Sequence, residues 1–287
     1  MTQALYETFH KTSPLGISYA WHTNSGGHHP LHWHDEIEIL YPLSGKADIS
    51  IDGVKYDLRK RHLLVVESGQ IHSTHNERTG SMFLCIHLSR EKLAEYMPEF
   101  ETLRIRCLPE NISDEKFPHY LSICQMLDQL TKLFIQEPPV FPLEAEGLIL
   151  QAAARLAEHF GSSALAPSAL PDRLTAERIH TVIRYVEEHF QEPISLTDAA
   201  DLLGLSKEYF CRFFKKNMGI SFLQYLNEIR VSHIYYDLLH TDLSILDIIE
   251  KNGFTNQKLF NSTFKKIYGC TPSAVRRGLP AEPLPPL

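Results

Sequence analysis

The heptapeptide FFKKNMG at 213–219 returns as TFKKIYG at 263–269, so Phe214, Lys215, Lys216 and Gly219 correspond to Phe264, Lys265, Lys266 and Gly269 at an offset of 50. Upstream, Gly204 corresponds to Gly253 at an offset of 49, one residue being added between the glycine and the following helix. Self-similarity of this kind signals one supersecondary unit built twice. In the first copy Leu196, Ala199, Ala200 and Leu203 fall at i, i+3, i+4 and i+7, one buried stripe on a short helix for which Ser195 is the capping candidate. Gly204 supplies the freedom of a tight turn, and Ser206 opens a second helix whose Phe210, Phe213 and Phe214 face the first. In the second copy Ile245, Ile248 and Ile249 make the stripe, Asn252 and Gly253 the turn, and Phe260 and Phe264 the inward face of the last helix. A single copy fits an ordinary helical bundle with solvated lysines; the duplication favours a double helix-turn-helix.

Between the copies runs FLQYLNEIRVSHIYYDLLH, 19 residues at 222–240 that read as one helix. At 1.5 Å per residue it is about 28 Å long. Adjacent major-groove faces of B-DNA lie roughly 34 Å apart, so a rod of this length sets two reading helices into neighbouring grooves on one side of a duplex. The net charge of -7 argues the other way for the chain as a whole, because a uniformly acidic surface repels a polyanion. The charge is not uniform. Residues 173–278 carry 14 Lys+Arg against 12 Asp+Glu, net +2, which leaves net -9 for the remainder. The two parts face different partners.

At 287 residues, 43% of them hydrophobic and 22% charged, the chain has room for two folded domains, and no apolar run approaches the roughly 20 residues of a membrane helix. The segment MTQALYETFHKTSPLG lacks a basic stretch followed by an apolar core, so no signal peptide is expected. Cys85, Cys107, Cys124, Cys211 and Cys270 are scattered and never form a CxxC pair, which suits a reducing cytoplasm and argues against a disulfide frame or a cysteine zinc site.

The first ninety residues carry strand signals in ISYAWH, EIEILY, ADISI and VKYDL around an Asp52-Gly53 turn, HLLVV, and MFLCIHL. Short strands at this spacing predict a barrel or sandwich. From about 116, FPHYLSICQMLDQLTKLF and PLEAEGLILQAAARLAEHF have helical apolar spacing and predict a helix pair on the barrel. GSSALAPSALPD at 161–172 has linker composition. Within PLHWHDEIEIL at 30–40, His32, His34 and Glu38 share one parity in what reads as a strand and so point the same way. Three readings stay open for them: a metal site, a ligand site, or core.

Residues 176–277 resemble the double helix-turn-helix domain of the AraC/XylS family of bacterial transcription regulators, on LTDAADLLGLSKEYFCRFFKKNMGISFLQYLNEIRVSHIYYDLL and ILDIIEKNGFTNQKLFNSTFKKIYGCTPSAVRR. The resemblance implies double-stranded promoter DNA as a partner, with RNA polymerase beside it. It also implies that the first reading helix presents Glu208, Cys211 and Arg212 to base edges, with Ser206, Lys207, Lys215 and Lys216 near phosphates. In the second, Lys258, Leu259 and Ser262 face bases, Asn256 and Gln257 lie near the backbone, and Lys265 and Lys266 repeat the lysine pair. Arg212 is the strongest single candidate, because a guanidinium bonds guanine at two atoms. Ser262 is shorter than the basic or polar side chain common at its position, which shifts the second helix toward phosphate contact.

The first domain resembles a cupin, the small barrel found at the N-terminus of many members of that family. Gly26, His32, His34, Glu38 and Gly45 match the first cupin motif; Gly69, His72 and Asn76 match the second in part, with Glu67 where proline is expected. By this resemblance His32, His34, Glu38 and His72 line an effector pocket, with Trp21 and Tyr41, and also Tyr19 and Trp33, placed to stack on a sugar or aromatic ring. In metal-binding cupins the same four groups converge on one ion, and their donor set suits zinc, iron, manganese or nickel. The resulting expectation is an α+β chain of two domains: a cupin-like β-barrel sensor at 1–112 with a helical pair at 113–160, a linker at 161–172, an all-α double helix-turn-helix reader at 173–278, and a proline-rich tail at 279–287. Such a chain is a cytoplasmic transcription regulator controlled by a small-molecule effector. By the same resemblance a homodimer is expected through the helical pair, where Leu121, Cys124, Leu127 and Leu130 fit a buried stripe that serves either a partner or the chain's own barrel. The alternatives are a metal-responsive regulator and a cupin enzyme with a DNA-binding appendage.

Overall fold

The structure is a computed structural model that describes residues 13–24, 28–76, 81–163 and 173–277. Eight strands come first: β1 (Ile17–Asn24), β2 (His28–His32), β3 (Ile37–Ser44), β4 (Lys46–Ile51), β5 (Val54–Arg59), β6 (Leu64–Val66), β7 (His72–Asn76) and β8 (Ser81–Leu88). They form two antiparallel four-stranded sheets, ordered β1-β8-β3-β6 and β2-β7-β4-β5. Side-chain alternation sorts the residues between layers. Ala47, Ile49 and Ile51 of β4 turn inward and meet Leu40, Leu64, Val66, Phe83 and Cys85 of the other sheet. The odd-numbered partners on β3, Ile37, Ile39 and Tyr41, turn out toward two helices, α2 (Phe117–Gln136) and α3 (Phe141–Phe160). The Asp52-Gly53 turn has both residues at positive φ, 50° and 81°, as a two-residue hairpin requires.

Three expectations change, and the open choice for the α2 stripe is decided. The stretch PLHWHDEIEIL is not one strand, since β2 ends at His32, β3 begins at Ile37, and the chain crosses from one sheet to the other between them. The segment 161–172 opens with paired backbone: Gly161–Ser163 forms β10, antiparallel to β9 (Leu103–Ile105), while 164–172 and the tail at 279–287 lie outside the described residues. The α2 stripe is core of its own domain. Cys124, Leu127 and Leu130 are buried under the sheet and α3, and only Leu121, 43% exposed, is left at the surface. Tyr41 also belongs to that layer. Its ring is fully buried and its hydroxyl donates to Asp128 Oδ1 of α2 at 2.9 Å, while Asp128 also pairs with Arg61. Tyr41→Phe is therefore expected to cost about 1 kcal/mol of stability, the net value of one such bond, with DNA affinity unchanged. Urea denaturation beside a DNA titration checks both parts.

A short helix α1 (Arg90–Tyr96) follows β8, and Glu67, standing where a cupin would have proline, ties this region together. Its carboxylate accepts from the Ile105 amide of β9 at 2.6 Å and pairs with Arg90. The C-terminal helices are α4 (Arg173–His189), α5 (Leu196–Asp201), α6 (Lys207–Met218), α7 (Phe222–His240), α8 (Ile245–Lys251), α9 (Gln257–Tyr268) and α10 (Pro272–Arg276). The caps expected at Ser195 and Ser206 form, the first as a reciprocal capping box with Asp198. The two copies are α5-α6 and α8-α9, and α7 has the bounds read from the sequence. Phe222, Tyr225, Leu226 and Ile229 of α7 enter the core of the first copy, and Val231, Ile234 and Leu238 that of the second. Two polar anchors fix the rod to each. Arg230 donates to the carbonyls of Phe190 and Glu192 at 2.7 Å each, just past the end of α4. Asp237 accepts from Lys251 Nζ at 3.1 Å and from Asn252 Nδ2 at 2.9 Å, at the end of α8.

Candidate functional site

Helix α6 buries Phe210, Phe214 and Met218 and leaves Lys207, Glu208, Arg212, Lys215 and Lys216 exposed, with Cys211 half-buried beside them. Helix α9 repeats this: Phe260, Phe264 and Ile267 face inward, while Gln257, Lys258, Leu259, Ser262, Lys265 and Lys266 are exposed. The spacing of aromatics chooses the buried side, and the cations fall on the other. Two polar candidates have an internal duty as well. Ser206 Oγ accepts from the Tyr209 amide at 3.3 Å and Asn256 Oδ1 from the Leu259 amide at 3.0 Å, so both cap their helices. Leu259, 42% exposed, puts an apolar side chain among the polar ones on the exposed face of α9.

The barrel holds the second site, and strand register builds it. Pairing of β3 with β8 sets Glu38 directly opposite His87, and pairing of β2 with β7 sets His32 opposite His72. His34, just beyond β2, completes the group. Glu38 Oε2 lies 3.1 Å from His72 Nε2 and 3.5 Å from His34 Nε2, and its Oε1 lies 3.6 Å from His87 Nε2. Both His72 and Glu38 are buried, at 1% and 5% exposure. Burial alone would raise the Glu38 carboxyl, but contacts with His34 and His72 and the charge of His87 hold it well below the usual carboxylate range. Burial and His72 push His32 well below an ordinary histidine, whereas for His34 the effect of burial is outweighed by Glu38 and its pKa rises.

Three of the rings are tethered in the same way. Nδ1 of His32, His34 and His72 lies 2.8, 3.0 and 3.0 Å from the carbonyls of Pro30, Glu36 and Gln70. A ring that donates from Nδ1 turns an Nε2 lone pair to the other side. Nε2 of His34 and His72 and Oε2 of Glu38 end buried with no aligned hydrogen-bond partner. One ring nitrogen from each of His32, His34 and His72 lies within 4.8 Å of the others, as do donor atoms from His34, Glu38 and His87. The donor set and its orphaned atoms thus fit a divalent metal, and equally any group that brings positive charge or N–H and O–H donors.

His87 was not among the residues singled out in the sequence. Its only signal there is parity with Phe83 and Cys85 in MFLCIHL, and register alone reveals its partner. Trp21, by contrast, does not join the cluster. It shares the outer face of its sheet with Leu84, stacks on Phe134 of α2 at 3.8 Å and meets Tyr19 edge-on at 5.6 Å. Tyr41 lies on that outer face too, one step out of parity with Glu38. Gly26 falls outside the described residues.

Comparison with known proteins agrees with both halves. Residues 17–153 match the family described as the AraC-like ligand binding domain, and residues 199–278 match a helix-turn-helix domain family. An uncharacterized HTH-type transcriptional regulator of Staphylococcus aureus is 35% identical over 108 residues, covering 38% of this chain but 14% of its own length, so the chain spans a small part of that relative. The uncharacterized HTH-type transcriptional regulator YdeC of Bacillus subtilis is 23% identical over 284 residues, 94% of each chain. Among solved structures, a variant of apo ToxT from Vibrio cholerae has the same fold at 14% identity and a TM-score of 0.51, over 92% of this chain and 97% of that one. With a barrel of the AraC ligand-binding type joined to the doubled helix-turn-helix, the chain belongs to the AraC family of HTH-type transcriptional regulators.

Proposed function

We propose that this protein is a sequence-specific, DNA-binding transcription regulator whose affinity for its promoter is set by a small molecule held at the His32, His34, His72, His87 and Glu38 cluster. The observation that carries the DNA half is the pair of exposed, cation-bearing faces on α6 and α9, joined by one rod. The observation that carries the sensor half is the set of buried polar atoms without aligned partners. The buried Glu38 carboxylate sets the charge at the centre of the site, so its ligand supplies hydroxyl or ammonium donors rather than a carboxylate or phosphate. Arg212, Lys215, Lys216, Lys258, Lys265 and Lys266 engage the duplex, Arg212 at a base edge and the lysines at phosphates. No helix among the described residues is long and apolar enough to cross a membrane, and the cytoplasm is the proposed location. No catalytic step is assigned. Phe117 and Leu121 remain exposed on α2 and supply the contact proposed for a homodimer.

The shared Nδ1 tethering of three rings favours a second reading, in which the ligand is a divalent metal held by His32, His34, His72 and Glu38. A bound metal would supply positive charge at the centre of the cluster; this chain's own part is to fix the three ring nitrogens. A thermal-shift screen of sugars, amines, aromatic acids and divalent cations tests both readings at once. A true ligand at 100 times its Kd is expected to add about 2.7 kcal/mol to stability. That gain should vanish in His72→Ala. A ligand whose gain survives His72→Ala binds elsewhere and defeats the assignment. Elemental analysis of untagged protein separates metal from organic ligand.

A further inference from the structure

The strand that carries part of the cluster is also the strand that meets the reader. Around β2 the side chains split two ways: His32 and His34 turn into the barrel, and Leu31 and Trp33 turn out of it. Leu31 is buried in one cluster with Ile179, Val182 and Ile183 of α4, joined by Ile71 from the loop before β7. The Trp33 ring lies flat on that of His180, also on α4, at 3.6 Å and 9°. β2 also runs against α7, the rod between the two reading units. The loop at 67–72 repeats this two-sided arrangement. The Gly69 amide donates to the His34 carbonyl at 2.9 Å, the Gly69 carbonyl lies 3.2 Å from His180 Nε2, and the Gln70 carbonyl lies 3.0 Å from His72 Nδ1.

We infer that β2 and the 67–72 loop form a relay, in which occupancy of the histidine cluster is passed to the DNA reader through the Trp33–His180 stack. A ligand drawing on Nε2 of His34 and His72 pulls on two segments whose opposite sides hold α4 by ring stacking, apolar burial and a carbonyl contact. Neither segment can shift toward the cluster without moving the seat of α4. The ligand then biases the reader by as much as its affinity differs between the two seats. The inference rests on the cluster being the effector site. It is a statement about mechanical linkage, however, and can be tested without the natural ligand.

Hydrogen exchange on the full chain gives the test. Glu38→Gln removes the charge that His34, His72 and His87 face, and should speed exchange of the α4 amides about fivefold or more, the lower end of typical coupling between sites. In a Trp33→Ala background the same change should add nothing to α4, because the clasp is already open. His180→Ala, which breaks the clasp from the other domain, should act as Trp33→Ala does, and His72→Gln should act as Glu38→Gln does. The relay is overturned if the cluster and clasp substitutions multiply independently at α4, if α4 does not respond to the cluster variants, or if α2 loosens as much as α4. Failure of the effector assignment would show differently, as a ligand-induced thermal shift that survives His72→Ala while the exchange coupling persists.

Discussion

Replacing Arg212 by alanine is expected to lower affinity for the specific promoter by about 1–3 kcal/mol, roughly 5- to 150-fold, while binding to an unrelated duplex changes little. The guanidinium stands on the exposed side of α6, opposite the buried Phe210 and Phe214. A fork of that geometry can bond O6 and N7 of one guanine together, a contact that exists only at the correct base. Lys215 and Lys216, in the last turn of the same helix, are point charges suited to phosphate. Each lysine-to-alanine change should weaken specific and nonspecific binding alike and reduce the salt slope by about 1. Titrations of a promoter fragment and of a scrambled duplex at two salt concentrations distinguish these outcomes. Equal losses on both duplexes for Arg212→Ala would remove the base-reading role.

The second large effect separates two glycines that the repeat makes equivalent. Gly204 and Gly253 both stand at positive φ, 64° and 76°. A Cβ on Gly204 meets nothing within 4 Å, whereas one on Gly253 would come within 2.7 Å of the Gln191 carbonyl and 2.9 Å of the Phe190 carbonyl. Gly204→Ala should therefore cost only the left-handed penalty, about 1–2 kcal/mol. Gly253→Ala adds overpacking against backbone, for a total of about 2–5 kcal/mol. The displaced Phe190 carbonyl is also the one that Arg230 holds. Gly253→Ala is thus expected to loosen the seating of the second copy on the first and to lose DNA affinity beyond its loss of stability. Urea unfolding and DNA titration of both alanine variants decide it; equal costs at the two glycines would show that the close approach carries no energy.

The rod of the reader was legible to the residue and the short helices by their caps and stripes, although α5 ends at Asp201, before the Leu203 assigned to its stripe; these signals are local. Capping serines, aromatic stripes and turn glycines act within one or two turns, and α7 spans Phe222–His240 as its composition implied. The barrel was legible as strands but not as a site. His32, His34, Glu38 and His72 do converge, though not by lying on one strand. They converge because β2 and β3 belong to opposite sheets, and sheet pairing is a long-range fact that parity cannot express. His87 was hidden for the same reason. Trp21 and Tyr41 were misplaced because an aromatic on a strand can face either layer, and here α2 and α3 supply the larger apolar surface. The apolar stripe of α2 is equally ambiguous on its own: a buried stripe looks the same whether its own sheet or a second chain covers it.

The two anchors on α7 have a consequence for the DNA rather than for the protein. With Arg230 gripping the end of α4 and Asp237 the end of α8, the pair of heads shares a single keel and cannot be drawn apart independently. Each inserted base pair turns one half of an operator by about 35° relative to the other. With both heads on one duplex, as proposed, the interval between their contacts is itself part of the message, and a substituted letter should be a milder injury to such an operator than an added one.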